Sequence, residues 1–259
     1  MITLLNGETF TPEQLKQQMT NDDFYYSYLG QHALSSSNCK LLLDSPKSFH
    51  YITKYGWPES DAFTSGKLVH MIVLEPDRIS EIEVVDVQSK NTNKWKNAVK
   101  LNRNAVTRKE MSEAERIADS LLRNDIAMSW FEGCQFEVPT IGNIHGLPFR
   151  GKADALYLND SPMIIDLKTT ADLKAFKYSA KKYSYDLQAA IYCQLFDVDP
   201  SRFIFIAVDK RSLDIGIFTI SETFYKSGLD KLKVATDRYK DYFLNRTHDI
   251  DSYLITDEL

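Results

Sequence analysis

The sequence predicts an α/β fold: one domain with a central mixed sheet flanked by helices, preceded by a mainly helical N-terminal part. Three observations lead there. Five runs rich in β-formers crowd the second half, at 134–140, 147–158, 163–169, 202–209 and 214–220, each bounded by turn residues. Apolar residues at helical spacing fill the gap between the third and fourth runs and most of the first half. At 259 residues and 43% hydrophobic, a single core of this kind is the simplest organisation. It divides into a helical part at 1–131, a sheet-and-helix part at 132–246 and an acidic tail at 247–259.

In chain order, Thr11 to Met19 reads as a capped helix, because Thr11 stands three residues before Gln14. Residues Asn21 to Gly30 carry Phe24, Tyr25, Tyr26 and Tyr28, a surface to pack over the core or a partner. Ser35 to Leu43 starts on N-cap serines, and Pro46 suits the first turn of the next helix. Asp61 to Leu74 is a helix containing His70, and Glu83 to Val87 a short strand. Lys94 to Asn102 is helical, as is Lys109 to Phe131, where Met111, Ala114, Ile117, Ala118, Leu121 and Leu122 recur at 3.6 spacing. The strands 134–140 and 147–158 form a hairpin through Gly142-Asn143-Ile144-His145-Gly146. Asn159-Asp160-Ser161-Pro162 leads into Met163 to Thr169. Ser184 to Phe196 is a helix. The strands 202–209 and 214–220 turn at Lys210-Arg211-Ser212, and Glu222 to Leu244 closes the chain as a long helix.

The chemistry concentrates between Gly151 and Tyr192, in GKADA, IIDLKTT and YDLQAAIY. Asp154 and Asp166 each sit in a β-type apolar run, where a carboxylate is costly unless paired or metal-bound. Lys168 shares the strand face of Asp166, since side chains alternate with period two, while Leu167 points away and offers its carbonyl. Gln188 and Tyr192, four apart, share a helix face from which both can touch a phosphate or the lysine. Two carboxylates and a lysine on adjacent strands suit a hard divalent cation such as Mg²⁺ and a phosphodiester substrate. A bare D-x-K is a common tripeptide; the preceding strand, Asp154 and the Q-x-x-x-Y helix give it weight.

These segments resemble, in order, the PD-(D/E)xK nuclease superfamily, and more narrowly its RecE-type (exonuclease VIII) branch with its phage relatives. The likeness runs from about Leu34 to about Ile220. It opens with LSSSNCKLLLDSPKSFHY (Leu34 to Tyr51) and SGKLVHMIVLEP (Ser65 to Pro76), then NKWKNA, GKADA, DLKTT and YDLQAAIY. The resemblance implies a PD-(D/E)xK restriction-endonuclease-like core. It also implies a metal-dependent exonuclease that degrades linear double-stranded DNA from the 5′ end, leaving 3′ single strands for recombination. It implies His70, Asp154, Asp166 and the Leu167 carbonyl as metal ligands, Lys168 as the catalytic lysine, and Gln188 and Tyr192 facing the scissile phosphate. A ring-shaped homo-oligomer on DNA ends, a single-strand annealing partner and a phage origin follow from the same likeness. Mg²⁺ is the expected cofactor, and the histidine predicts that Mn²⁺ also serves. The alternatives are a nuclease of other polarity or an endonuclease, and a DNA-end scaffold that no longer cuts.

Other residues admit two readings. Ser35 and Ser37 suit a DNA 5′-phosphate or simple capping. Lys174, Lys177, Lys181 and Lys182 suit DNA tracking or a solvated face, as do Lys90, Lys94, Lys96, Lys100, Arg103, Arg108 and Lys109. Glu137, on the strand before GKADA, could assist the metal or sit exposed. Glu75 reads as a helix-end residue before Pro76, and Trp57, Trp95 and Trp130 as packing residues rather than base-stacking ones. The acidic tail, with Asp249, Asp251, Asp257 and Glu258, could dock the annealing partner. A net charge of −5 disfavours a general nucleic-acid coat without excluding a nuclease, whose phosphate contacts are local. Cys39, Cys134 and Cys193 show no C-x-x-C and are too few for the usual four-cysteine iron–sulfur cluster; they fit a reducing cytoplasm. No phosphate-loop motif calls for ATP. No 18-residue apolar run predicts a membrane span, and MITLLNGETF lacks a secretory pattern.

Overall fold

In the computed structural model the described residues are 1–56, 61–102 and 104–256, with only the backbone of 61–64. Trp57, Arg103, Asp257 and Glu258 lie outside them. The chain opens with a small ribbon, β1 (Ile2–Thr3) and β2 (Thr9–Phe10). Thr11 then caps α1 (Pro12–Gln18) in the expected reciprocal box: its hydroxyl accepts from the Gln14 amide while the Gln14 side chain accepts from the Thr11 amide. The aromatic segment coils as a π-helical turn, Asp23–Tyr28, running into α2 (Leu29–His32). Tyr25 is buried there with Leu15 and Leu29. Ser35 and Ser45 cap α3 (Ser36–Asp44) and α4 (Pro46–Tyr55). Helix α5 (Asp61–Leu74) follows, then β3 (Glu83–Val85), α6 (Asn93–Leu101) and β4 (Ala105–Thr107), which pairs parallel to β3.

The predicted helix 109–131 is two helices. Helix α7 (Arg108–Leu122) ends at Arg123, and α8 (Asp125–Ser129) restarts after Asn124, whose side chain accepts from the Ala127 amide at 2.9 Å. A single capping residue offers the backbone this alternative, and apolar periodicity does not register it.

The main sheet has five strands in sequence order: β5 (Gln135–Ile144), β6 (Leu147–Tyr157), β7 (Met163–Thr170), β8 (Phe203–Asp209) and β9 (Ile215–Thr219). All pairs are antiparallel except β7–β8, which are joined by α9 (Phe176–Lys182) and α10 (Tyr185–Phe196). The β5–β6 turn is shorter than the five residues expected. Ile144 and Leu147 pair and are buried, leaving His145 and Gly146 (φ 51° and 78°) as a two-residue left-handed turn. Arg202 lies in a 3₁₀ turn before β8 rather than in the strand.

Helices cover both faces. One cluster joins Leu42, Phe149, Ala153, Ile164, Leu187, Ile191, Phe203 and Leu232, from α3, α10 and α11 (Glu222–Tyr239) against the sheet. The other joins Val69, Ile117, Leu121, Ile165, Leu167 and Ile206, from α5 and α7. Helix α11 continues into a π-helical turn, Lys240–Leu244. No helix among the described residues is long and apolar enough to cross a membrane.

Helices α10 and α11 approach each other at Gly228. A methyl group there would collide with the Asp186 carbonyl and come within 2.9 Å of the Ala190 Cβ. We expect Gly228→Ala to destabilise by about 3 kcal/mol, a loss of overpacking type. Calorimetry should show the melting temperature falling by roughly 10 °C; a change within 1–2 °C, about the effect of a neutral surface substitution, would disprove so close an approach.

Candidate active site

The site begins where β6 and β7 part. They pair only through Ala155, Leu156 and Tyr157 with Ile165, Ile164 and Met163. Beyond that point the Asp154 side chain bridges the fork, its Oδ2 accepting from the Leu167 amide at 2.8 Å. Further along, Leu34 takes the vacated edge, exchanging 2.8 Å bonds with Pro148 and Arg150 on either side of Phe149. The acids therefore lie inside the strands, at a fork. Tyr192 fills the space behind it: the position a Gly151 Cβ would occupy lies 3.1 Å from the Tyr192 ring and 3.1 Å from Leu195. Glycine at 151 is what allows α10 this close to β6. Tyr192 is itself only 8% exposed, and burial holds its phenol well above the usual range. The helix thus separates the two residues expected to face a phosphate together. Gln188 reaches Asp166, and Tyr192 packs beneath the strand.

On one side of the fork stand His70, Glu137 and Asp154, with ligand atoms within 4.8 Å of one another. Helix α5 delivers His70, whose Nε2 donates to the Leu167 carbonyl at 2.7 Å. A carbonyl only accepts, so Nδ1 keeps its lone pair and lies 3.6 Å from Asp154 Oδ2. Burial, and then Lys168, lower the imidazole pKa and keep the ring neutral. Glu137 arrives through the hairpin register: Phe136 pairs with Ala155 and Val138 with Ala153, which sets Glu137 opposite Asp154. Its φ of 50° is left-handed, a strained conformation for glutamate that shared placement with Asp154 makes worth noting. Lys152 approaches Glu137 at 3.4 Å and rests on the Tyr25 and Tyr26 rings. Burial, and then Asp154, push Glu137 up to about 7; burial, and then Asp166, push Asp154 up to about 8. One imidazole lone pair and two carboxylates that resist ionising together form a donor set suited to a divalent cation.

On the other side, α10 and β7 assemble a polar cluster. Fully buried Asp166 accepts from Gln188 Nε2 at 2.7 Å and ion-pairs with Lys168. Burial opposes the Lys168 charge, but Asp166 and Asp154 outweigh it and raise its pKa. The Leu167 side chain points into the opposite core, and its carbonyl is the one His70 holds. Sequence reasoning did not single out Lys40 of α3 or Lys231 of α11. Lys231 ion-pairs with buried Asp186 at 2.8 Å, and burial, then Lys168, lower Lys40 to about 8.

The candidate donors His70, Glu137 and Asp154 make the protein sensitive to pH. Asp154 and Glu137 have folded pKa values near 8 and 7, above their ordinary 3.8 and 4.5. The folded state therefore binds more protons than the unfolded chain, and stability falls as pH rises toward 8. His70, lowered from 6.5, acts oppositely, but only below that pH. In chelator, the melting temperature should fall between about pH 6.5 and 8. Mn²⁺ should raise it, most at the alkaline end, because a cation displaces the shared protons. Thermal shift across this range, with and without Mn²⁺, checks both; a flat profile unmoved by Mn²⁺ contradicts the cluster.

The remaining candidates lie outside this cluster. Ser35 caps α3 and donates to the Asn38 side chain at 2.7 Å, and Ser37 is exposed. Lys174, Lys177, Lys181 and Lys182 are exposed on the loop after β7 and on α9, with Lys177 and Lys182 over Tyr178 and Tyr183. Within the earlier basic segment, Lys90 pairs with Glu110 at 2.7 Å. Glu75 pairs with Arg78, and Trp95 and Trp130 pack against core clusters. Cys39 and Cys193 are buried.

One solved structure shares this architecture. A crystallised exonuclease candidate from Eubacterium rectale superimposes with a TM-score of 0.60 at 17% identity, covering 98% of this chain and 97% of that one. A phage-related exonuclease from Haemophilus somnus overlaps at a TM-score of 0.34 and 14% identity, over 70% of this chain and 95% of its own. No curated protein matches the sequence. The family model described as "PDDEXK-like domain of unknown function (DUF3799)" matches residues 35–249. The mixed sheet and its flanking helices are thus those of a PDDEXK-like domain, and the chain belongs to that family.

Proposed function

We propose that the protein is a divalent-metal-dependent deoxyribonuclease, a 5′-to-3′ exonuclease that resects linear duplex DNA to leave 3′ single strands for recombination. The observation that carries the hydrolytic reading is the juxtaposition of His70, Glu137 and Asp154 with the Asp166–Lys168–Gln188 cluster across one strand fork. His70, Glu137 and Asp154 would hold the cation, with Asp166 and the Leu167 carbonyl completing the protein's share. When bound, Mg²⁺ or Mn²⁺ supplies Lewis-acid polarisation of a phosphate and a lowered pKa for water. Lys168, held protonated by Asp166, offsets charge that develops on the phosphate. Gln188 fixes Asp166, and Tyr192 braces the strand that carries Asp154. The polarity, the duplex preference, a ring of identical subunits and a single-strand annealing partner belong to the same proposal and rest on the resemblance to RecE-type enzymes.

The test is digestion of 5′-labelled and 3′-labelled linear duplex in Mg²⁺ or Mn²⁺, beside a closed circle and an Asp166→Ala control. Early release of the 5′ label, with the circle intact and the variant silent, is the expected result. Cleavage of the circle makes the protein an endonuclease. Binding without cutting, by folded wild-type protein in either metal, makes it a DNA-end scaffold.

A further inference from the structure

Lys40 is a part-buried cation with no carboxylate partner among the described residues. It lies on α3, in the helical layer over the catalytic face of the sheet, and is largely enclosed. Its ammonium stands over the Tyr185 ring at 5.5 Å, and Lys168 stands over the same ring at 5.2 Å. Both carboxylates that act on it are engaged elsewhere. Asp166 is held by Lys168 and Gln188. Asp186 accepts from Lys231 at 2.8 Å, from Ser227 at 2.7 Å and from the Leu187 amide at 2.9 Å. Among the described residues, no hydrogen bond or ion pair engages the Lys40 ammonium.

Enclosing an ammonium without a counter-charge is costly, and placing a second one near it raises the cost. Such an arrangement makes sense if an anion shares the space during function. Lys168 faces the reacting centre and already has Asp166, so an incoming anion gains most from Lys40. The Tyr185 ring offers its face to both cations and holds them beside one another. Ser184, just before Tyr185, has a left-handed φ of 52° and turns the chain from α9 into α10, which places that ring.

We infer that Lys40 binds the DNA phosphate adjacent to the scissile one, placing the strand so that its neighbour meets Lys168. This rests on the nuclease reading above. The geometry makes Lys40 a substrate-binding residue rather than part of the metal centre.

The experiment compares wild type, Lys40→Met and Lys40→Arg as full chains. Binding of an end-labelled duplex is followed by fluorescence anisotropy in chelator over a range of salt, and digestion is followed in Mn²⁺. Losing one phosphate contact should reduce the slope of log affinity against log salt by about 0.9. Lys40→Met should show that reduction and a KM raised by about tenfold or more, the scale of one charge-assisted contact. Its Mn²⁺-induced thermal shift should match wild type, and Lys40→Arg should recover slope and KM. Lys40→Gln provides the neutral side chain if the Met variant does not fold. A wild type that cuts, with neutral variants unchanged in slope and KM, overturns the inference and leaves the nuclease reading intact. A wild type that binds without cutting ends the nuclease reading, while the salt slope still decides whether Lys40 holds a phosphate. A wild type that neither cuts nor binds overturns both.

Discussion

Lys168→Ala is expected to lower the single-turnover cutting rate by roughly 10³-fold while Mn²⁺ binding stays within about tenfold of wild type. The asymmetry follows from where the ammonium lies. It pairs with Asp166, it stands over the Tyr185 ring, and it is absent from the His70–Glu137–Asp154 cluster. Its raised pKa keeps it charged at neutral pH, so its contribution is a fixed positive charge rather than proton abstraction. Removing it leaves the metal donors standing and takes away the charge that a phosphate would meet as it becomes more anionic. A calorimetric Mn²⁺ titration beside single-turnover digestion of an end-labelled duplex separates the two effects. If the variant cuts within tenfold of wild type, about the size of a minor contact, Lys168 is not the catalytic lysine.

How much of this could be read from the sequence depends on how local each signal is. Strands β7 and β8 are dense runs of β-formers between turn residues, and their limits were legible to within a residue or so. Asp166 and Lys168 shared a face by period two, and the structure pairs them. Glu137 was harder, because its placement comes from register. With a five-residue turn at 142–146, nothing sets Glu137 opposite Asp154. With the two-residue turn at His145–Gly146, counting back along both strands from the Ile144–Leu147 pair brings the two acids together. The signal was present in the turn, since a glycine after a residue tolerant of the left-handed region favours the short hairpin. Lys40 had no such signal. It is one lysine in an amphipathic helix, and its isolation depends on where Asp166 and Asp186 find partners. Tyr192 shared a helix face with Gln188 as expected, but four residues along α10 carried it past the fork and under Gly151.

Asp154→Asn should remove activity and make the metal-free protein more stable. The carboxamide oxygen can still accept the Leu167 amide, so the bridge between β6 and β7 survives. What disappears is a negative charge enclosed beside Asp166 and Glu137, whose cost to the metal-free fold is expressed in a carboxyl pushed up to about 8. By linkage, that cost grows as pH rises from the carboxyl's ordinary range toward 8, so the gain from neutralising it is largest at the alkaline end. In chelator near pH 8 the variant should melt above wild type by about 3 °C or more, the shift expected from at least 1 kcal/mol in a chain of this size. The thermal shift on adding Mn²⁺ should shrink to a small fraction of the wild-type value, and cutting should fall by about 10³-fold or more. Stability and activity then move in opposite directions from one substitution, as they do where a site holds strain for function. A purely structural Asp154 predicts the reverse: lower stability at every pH, and an unchanged response to Mn²⁺ per folded molecule. An asparagine variant that melts below wild type in chelator and still cuts would place the metal elsewhere.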